Sequence, residues 1–168
     1  QVTSTSVTYD VTSPTAALAY TVGSSAVTTV KQGNTVTITA TFNENIADSP
    51  VMQISGSGVE TISATDMTKA SATSYTYSWT APAGDGTQTF ALATGTDAAG
   101  NAITAAPTSG ATITVDNTAP TAALAYTISS SAVSTVKQND VVTLTATFTE
   151  DIADSPVMQI SGSGVETI

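Results

Sequence analysis

Oxygen-bearing side chains stand at several positions where predicted strands end. Glu44 follows an alternating apolar segment, and Asp116 closes the last predicted strand before a linker. Asp97 and Asn101 bracket a turn between two other strands. Ca²⁺ binds about six to eight oxygens from carboxylates, Asn side chains, backbone carbonyls and water, all of which these loops supply. These four residues are therefore candidate calcium ligands.

Whether the four residues meet depends on the topology of the fold. The loop after the second strand and the loop before the last strand can share a pole, and a linker carboxylate such as Asp116 can reach a pole of a neighbouring domain. The alternative is that Asp97 and Asn101 only form an Asx-turn with their own backbone, and that Asp116 tightens a linker turn before Thr118. Both interpretations remain open at the level of the sequence.

Catalysis has little support in the residue types present. The chain has no His and no Cys, so the usual catalytic triads cannot form. Paired carboxylates are too common in an acidic chain to indicate a glycosidase. A Ser–Lys dyad is formally possible, but Lys31 and Lys137 lie in predicted surface turns and Lys69 in a polar loop. We therefore expect a protein that is not an enzyme.

The charge of the chain is strongly one-sided. Three lysines stand against thirteen carboxylates, which gives a net charge of -10. Such a chain repels phosphate backbones, so we expect no nucleic-acid partner and no anionic membrane surface as a partner. No apolar run approaches the roughly 20 residues of a membrane helix, so we expect no membrane insertion. The absence of Cys is compatible with export, and without an apolar signal segment we expect a processed chain or an internal fragment.

The sequence repeats itself with a period of 106 residues. Residues 14–62 match residues 120–168, with Pro14 on Pro120 and 40 of 49 positions identical. The same offset places Asp10 on Asp116, so the first ten residues correspond to a last strand. We accordingly predict three parts: the last strand of a preceding repeat (1–10), one complete repeat (11–116) and the first half of the next repeat (117–168). A period of this length suits independent domains better than solenoid units.

Inside the complete repeat, apolar and polar residues alternate with a period of two. From Thr35 to Phe42 the apolar side chains occupy every second position, which is typical of a strand with one dry face. Strands are predicted near 15–21, 26–30, 35–42, 50–55, 59–64, 73–80, 87–96 and 109–115. So many short strands without a helix favour an antiparallel two-sheet sandwich. Its predicted core is Leu18, Val36, Ile38, Phe42, Met52, Ile54, Tyr77, Trp79, Phe90, Leu92, Ile113 and Val115.

Three motifs of the complete repeat resemble a known class of bacterial domain. TFNE (41–44), TDAAGN (96–101) and VDNTAP (115–120) are similar to the motifs of bacterial Ig-like tandem repeats in giant secreted adhesins and surface proteins. The resemblance implies an all-β chain of tandem immunoglobulin-like antiparallel β-sandwich repeats. It also implies calcium at junctions, where the ion stiffens the array. Asn43 departs from the usual Ser or Thr, and Val11-Thr12-Ser13 departs from the usual linker.

The half repeat at the C-terminus raises the question of what covers its core. Without counterparts of residues 63–116, an apolar face remains open. The simpler expectation is that the polypeptide continues; the alternative is that strands from another subunit, including residues 1–10, complete the sheet. The partners expected are thus neighbouring Ig-like repeats of the same chain or of adjacent subunits. The residues predicted to form this interface are Val142, Leu144, Phe148, Met158 and Ile160.

Three functions are compatible with this sequence. The first is a non-catalytic structural spacer of a secreted bacterial surface adhesin or surface filament. The second is a self-assembling filament or sheath subunit that is completed by strand exchange between chains. The third is a carbohydrate- or protein-binding module, which requires exposed aromatic residues, and Tyr20, Tyr75 and Tyr126 are its candidates.

Overall fold

The computed structural model describes residues 6–152 and 157–161, so the first five residues of the predicted segment 1–10 and parts of the last repeat lie outside the described residues. The chain forms two compact units, Gln1–Asn117 (unit 1) and Thr118–Ile168 (unit 2). Every regular element in the described ranges is a β-strand, which confirms the all-β prediction. None of those ranges holds a helix with the length and apolarity that crossing a bilayer requires.

The described residues of unit 1 form ten strands in two sheets of five. One sheet has the order β2-β1-β4-β8-β7 and the other has the order β3-β10-β9-β5-β6. All pairs are antiparallel except β3 with β10, which is parallel. The strands are β1 (Ala16–Val22), β2 (Ser25–Ala26), β3 (Thr29–Val30), β4 (Thr35–Phe42), β5 (Gln53–Ser57), β6 (Ile62–Asp66), β7 (Thr68–Lys69), β8 (Ser74–Thr80), β9 (Gly86–Leu92) and β10 (Thr112–Val115).

The two sheets bury their apolar faces against each other in a β-sandwich arrangement. Phe90 of β9 contacts the rings of two residues of the other sheet, Trp79 at 5.4 Å and Tyr20 at 6.0 Å between centroids. The alternation of β4 has the expected effect, because Val36, Ile38, Ala40 and Phe42 are all buried. Cross-sheet packing of large side chains is the main favourable term for such a fold.

The predicted core is confirmed at every position except Tyr77, which is half-buried. Two aromatic residues that were candidates for an exposed binding surface, Tyr20 and Tyr75, are buried instead. The Tyr20 hydroxyl donates a hydrogen bond to the Gly110 carbonyl, and burial raises the pKa of Tyr20 to about 12. Both tyrosines occupy inward positions of their strands, which explains why they join the core.

One polar side chain, Gln88, is fully buried on the inner face of β9. Its Nε2 donates to the Glu60 carbonyl at 3.0 Å, and its Oε1 accepts from the Glu60 amide at 2.9 Å. The Glu60 carboxylate accepts in turn from Trp79 Nε1 at 2.9 Å. Gln88 therefore has partners for both ends of its amide and holds the β5–β6 connection onto the core.

The first and last parts of unit 1 run side by side. In β1, the Leu18 amide donates to the Ser109 carbonyl at 3.0 Å, and the Thr108 amide donates to the Ala16 carbonyl at 2.8 Å. Further along, β3 pairs with β10 in parallel. We call the end of the sandwich at which β1 begins the upstream pole, and the end at which β10 finishes the downstream pole.

Unit 2 contains a single described sheet of three strands, in the order β12-β11-β13. Its pairing repeats that of β1 and β4, since Ala122 faces Phe148 as Ala16 faces Phe42, 106 residues earlier. The burial differs, because Leu18 is 5% exposed and its counterpart Leu124 is 52% exposed. The strands are β11 (Ala122–Ile128), β12 (Ser131–Ala132) and β13 (Thr143–Phe148).

The residues predicted to form an open interface lie on this uncovered side of unit 2. Val142, Met158 and Ile160 are exposed, whereas Leu144 and Phe148 are half-buried. No second sheet covers them among the described residues.

Replacing Phe90 with alanine should destabilise unit 1 by about 3–5 kcal/mol, because it removes a fully buried ring that contacts Tyr20 and Trp79. Denaturant unfolding followed by fluorescence of Trp79, the only tryptophan, measures this unit specifically. Thr89→Ala, at the neighbouring exposed position, is the control and should change the free energy of unfolding by no more than about 0.5 kcal/mol. Similar losses for both variants would contradict the assignment of Phe90 to the centre of the core.

Candidate metal centre

Two loops that are distant in sequence lie together at the upstream pole. One follows β4, and the other follows β9. Ile46 of the first loop forms an antiparallel bridge with Asp97 of the second, and the Ala47 amide donates to the Thr96 carbonyl at 2.8 Å. The sandwich topology thus brings Glu44 and Asp97 to the same pole.

The second loop is a tight turn closed by Asp97 and Asn101. Asp97 Oδ1 accepts from the Asn101 amide at 2.9 Å, and Asp97 Oδ2 accepts from Asn101 Nδ2 at 2.8 Å. Gly100 has a φ of 92°, a left-handed conformation that favours glycine. The hydrogen bond from the Asn101 side chain is the main reason why the pKa of the buried Asp97 is lowered. The predicted Asx-turn is therefore present, and it holds Asp97 in its charged form.

A third carboxylate, that of Asp10, completes the cluster, although Asp10 was not among the predicted ligands. Asn101 Nδ2 also donates to the backbone carbonyl of Asp10 at 3.2 Å. One carboxylate oxygen each from Asp10, Glu44 and Asp97 lie within 4.8 Å of one another. The signal that could have identified Asp10 is its register equivalence to the linker residue Asp116.

Asp116 does not share this pole with the other predicted ligands. Its amide donates to the Val30 carbonyl at 2.9 Å, next to the end of β10 at the downstream pole. Asp116 therefore lies apart from Glu44, Asp97 and Asn101 within unit 1, and its prediction as a ligand rests on the other possibility, that a linker carboxylate reaches the pole of a neighbouring domain. The reason is topological, since β10 runs away from the pole at which β4 ends. The linker carboxylate that does reach this pole is Asp10, which precedes the repeat.

The electrostatics of the cluster favour a cation. The pKa of the partly buried Glu44 is raised, first by desolvation and then by the negative charges of Asp10 and Asp97. The ion pair of the described residues, Lys69 with Asp48, involves none of these three carboxylates. Three negative charges consequently face one another without a neutralising lysine in the described part of the chain.

The geometry of the cluster fits calcium. Two oxygens bound to the same Ca²⁺ at about 2.4 Å lie at most about 4.8 Å apart, and the three carboxylate oxygens here all lie within 4.8 Å of one another. Asn101 uses its Nδ2 for hydrogen bonds, so its side-chain oxygen is the atom suited to binding a metal ion. Carboxylates, an amide oxygen and water are the hard ligands that calcium prefers.

In the presence of a chelator, Glu44→Gln should stabilise unit 1 at pH 7. Folding raises the pKa of Glu44 above 4.5, so the protonated form of Glu44 stabilises the folded state. This stabilisation is fully present below about pH 4.5 and is lost as the pH rises through the pKa that Glu44 has in the folded chain. The melting temperatures of the parent and the variant should therefore converge as the pH falls below about 4.5. Thermal unfolding followed by Trp79 fluorescence measures the difference.

Two variants control this experiment. Glu150→Gln, at the equivalent position of unit 2, should not change the Trp79 transition. Asp97→Asn should destabilise unit 1 at pH 7, because a lowered pKa contributes stability that is lost only as the pH falls through the folded value. Destabilisation by Glu44→Gln at pH 7 without metal would mean that Glu44 is not repelled by its neighbours.

Comparisons with known proteins identify no relative of this chain. No protein-family model, no curated protein and no solved structure matches the chain. The likeness to bacterial Ig-like repeats therefore rests on the three sequence motifs alone.

Proposed function

We propose that the chain is a non-catalytic structural spacer, built from tandem Ig-like repeats, of a secreted bacterial surface adhesin or surface filament. The observation that carries the proposal is the parallel pairing of the first and last parts of unit 1, whose ends leave at opposite poles. This arrangement suits a domain that transmits load along a row of similar domains.

The strand order supports an Ig-like assignment. An immunoglobulin sandwich has strands A, B, E and D in one sheet and C, F and G in the other. In unit 1, the run β1-β4-β8-β7 matches the first sheet and the run β10-β9-β5 matches the second. β3 follows β1 in the chain but pairs with β10 of the other sheet, as a first strand that changes sheets. The chain departs from antibody domains in having no cysteine and in carrying Trp79 on β8.

The load path through unit 1 follows from its hydrogen bonds. A pull on both ends of the unit acts along β1, β3 and β10. Two groups of hydrogen bonds then bear shear together. One group joins β1 to residues 108–109, and the other joins Thr114 and Asp116 to residues 28–30. Bonds loaded together must break together, whereas bonds peeled from one end break one after another. We call these hydrogen bonds together the clamp. The unfolding rate governs resistance to forced unfolding, and the clamp lowers that rate.

Asn117 holds the downstream linker to the sandwich through both its side chain and its backbone amide. Asn117 Nδ2 donates to the Gly84 carbonyl at 2.7 Å, its Oδ1 accepts from the Gln32 amide at 2.6 Å, and its amide donates to Asp85. The Asp85 carboxylate thus also fixes the linker. Pro120 adds stiffness, because its ring fixes φ and restricts the preceding residue to extended conformations.

At the upstream pole we propose a calcium ion bound by Asp10, Glu44, Asp97 and Asn101. When bound, the ion supplies positive charge that offsets the repulsion among the three carboxylates. Asp10 belongs to the segment that precedes β1, whereas the other ligands belong to loops of the sandwich. Holding them together would restrict the motion of the upstream linker, which is the stiffening role expected of a junction ion.

The composition supports a location outside the cell. Only 10% of the residues are charged, which is unusual for a cytosolic protein. Because the chain has no cysteine, its stability does not depend on a particular redox environment. The net charge of -10 argues against nucleic acid as a partner. The partners proposed are neighbouring Ig-like repeats. The alternative of a carbohydrate-binding module loses support because Tyr20 and Tyr75 are buried, and Tyr126 lies on the uncovered sheet of unit 2.

The force needed to unfold unit 1 should depend on the direction of pulling. Since the chain has no cysteine, introduced thiols can serve as handles. Handles at Val11→Cys and Thr118→Cys load the clamp in shear, whereas handles at Gln32→Cys and Thr118→Cys peel β3 from β10. Single-molecule force spectroscopy should give a severalfold higher unfolding force in the first geometry. Equal forces in two variants with the same melting temperature would contradict the load-bearing role.

Calcium should raise the melting temperature of unit 1. At a concentration about 100 times the dissociation constant, one bound ion adds about 2.7 kcal/mol to the free energy of unfolding. Glu44→Gln and Asp10→Asn should remove this response, because each removes a ligand. Asp48→Asn, which breaks the exposed pair with Lys69, is the matched control and should retain it. An unchanged calcium response in Glu44→Gln would refute the site, but it would leave the spacer role to the force experiment.

A further inference from the structure

Residues 104–111, which lead into β10, form hydrogen bonds with both sheets of unit 1. On one side, the Thr108 amide donates to the Ala16 carbonyl of β1 at 2.8 Å. On the other side, the Ala111 carbonyl accepts from the Phe90 amide of β9 at 2.7 Å. Because β1 and β9 belong to different sheets, this segment joins the two sheets along one side of the sandwich. We call residues 104–111 the seam.

The seam leaves no room for a side chain at Gly110. This residue has a φ of 69°, a left-handed conformation that favours glycine. A β-carbon at this position would also overlap the backbone carbonyl oxygen of Leu18 in β1. Two hydrogen bonds cross at the same place: the Leu18 amide donates to the Ser109 carbonyl at 3.0 Å, and the Tyr20 hydroxyl donates to the Gly110 carbonyl at 2.5 Å. These bonds therefore require the bare backbone of Gly110.

We propose that Gly110 is the positioning residue of the clamp, because it lets the seam approach β1 closely enough for both groups of hydrogen bonds to carry load at the same time. Gly110 lies between the two groups along the chain: residues 108–109 bond to β1, whereas Thr114 and Asp116 bond to residues 28–30. A side chain at Gly110 displaces the seam from β1 and leaves the second group to bear the pull alone. This inference rests on the proposed spacer role and names the residue on which its mechanical resistance depends.

Gly23, in the turn after β1, provides a matched control for Gly110. Its φ of 60° is also left-handed, but a β-carbon there would meet no atom within 4 Å. The repeat itself has a side chain at the equivalent position, since Ser129 stands 106 residues later and has a φ of 49°. Gly23→Ala therefore measures the cost of the left-handed backbone alone, and Gly110→Ala adds the overlap with β1.

Single-molecule force spectroscopy in two pulling geometries tests the proposal. Handles at Val11→Cys and Thr118→Cys load both groups of the clamp in shear, whereas handles at Gln32→Cys and Thr118→Cys peel the second group and do not load the seam first. Gly110→Ala should roughly halve the unfolding force in the shear geometry, because the bonds between β1 and residues 108–109 are lost. It should leave the force in the peeling geometry unchanged, and Gly23→Ala should change neither force appreciably.

A milder variant, Tyr20→Phe, tests the same contact in case Gly110→Ala does not fold. It keeps the ring against Phe90 and removes only the hydroxyl that donates to Gly110. Hydrogen exchange of the Leu18 and Thr108 amides, followed by NMR, should become roughly fivefold faster, which is the effect of losing one neutral hydrogen bond. Exchange of the Thr114 amide, which bonds to β10's neighbour rather than to β1, should not change.

The outcomes separate this inference from the spacer role on which it rests. A parent chain that unfolds at the same force in both geometries would overturn the load path, and the role of Gly110 with it. A parent that is stronger in shear, together with a Gly110→Ala variant that loses force equally in both geometries or in neither, would overturn the role of Gly110 alone. Equal acceleration of exchange at Leu18 and Thr114 in Tyr20→Phe would likewise indicate a general loss of stability and overturn that role.

Discussion

The apolar face of the sheet that contains β1 and β4 must be covered, and most features of this molecule follow from that requirement. In unit 1 the second sheet covers it, with Phe90 against Trp79 and Tyr20 at the centre. In unit 2 the same pairing forms between β11 and β13, but its apolar side chains remain exposed. Local pairing is thus set by neighbouring strands, whereas burial needs a partner sheet that arrives from distant residues.

Covering this face also determines where the chain enters and leaves unit 1. Because β3 crosses to the second sheet and pairs with β10, the first and last parts of the unit lie side by side with their outer ends at opposite poles. The load-bearing role that we propose rests on this geometry. It also separates Asp10 at the upstream pole from Asp116 at the downstream pole, although the two occupy equivalent positions of the repeat.

The carboxylate cluster is a consequence of the repeat register. At the upstream pole, a residue that precedes the domain, Asp10, meets loop residues of the domain itself. This feature places the boundary between consecutive repeats at the centre of the proposed function. The mutual repulsion of the carboxylates is a cost that binding of a cation would offset.

The sequence alone determined the all-β class, the strand alternation of β4 and nearly all of the core, because these depend on local patterns with a period of two. It also marked Glu44, Asp97 and Asn101 as candidate ligands, since turn chemistry marks the ends of strands. Only the tertiary structure decided that Tyr20 and Tyr75 are buried, that Gln88 belongs to the core and that Asp10 rather than Asp116 joins the cluster. These outcomes depend on which strands become neighbours and in which direction they run, and contacts between residues about 90 positions apart leave no local pattern in the sequence.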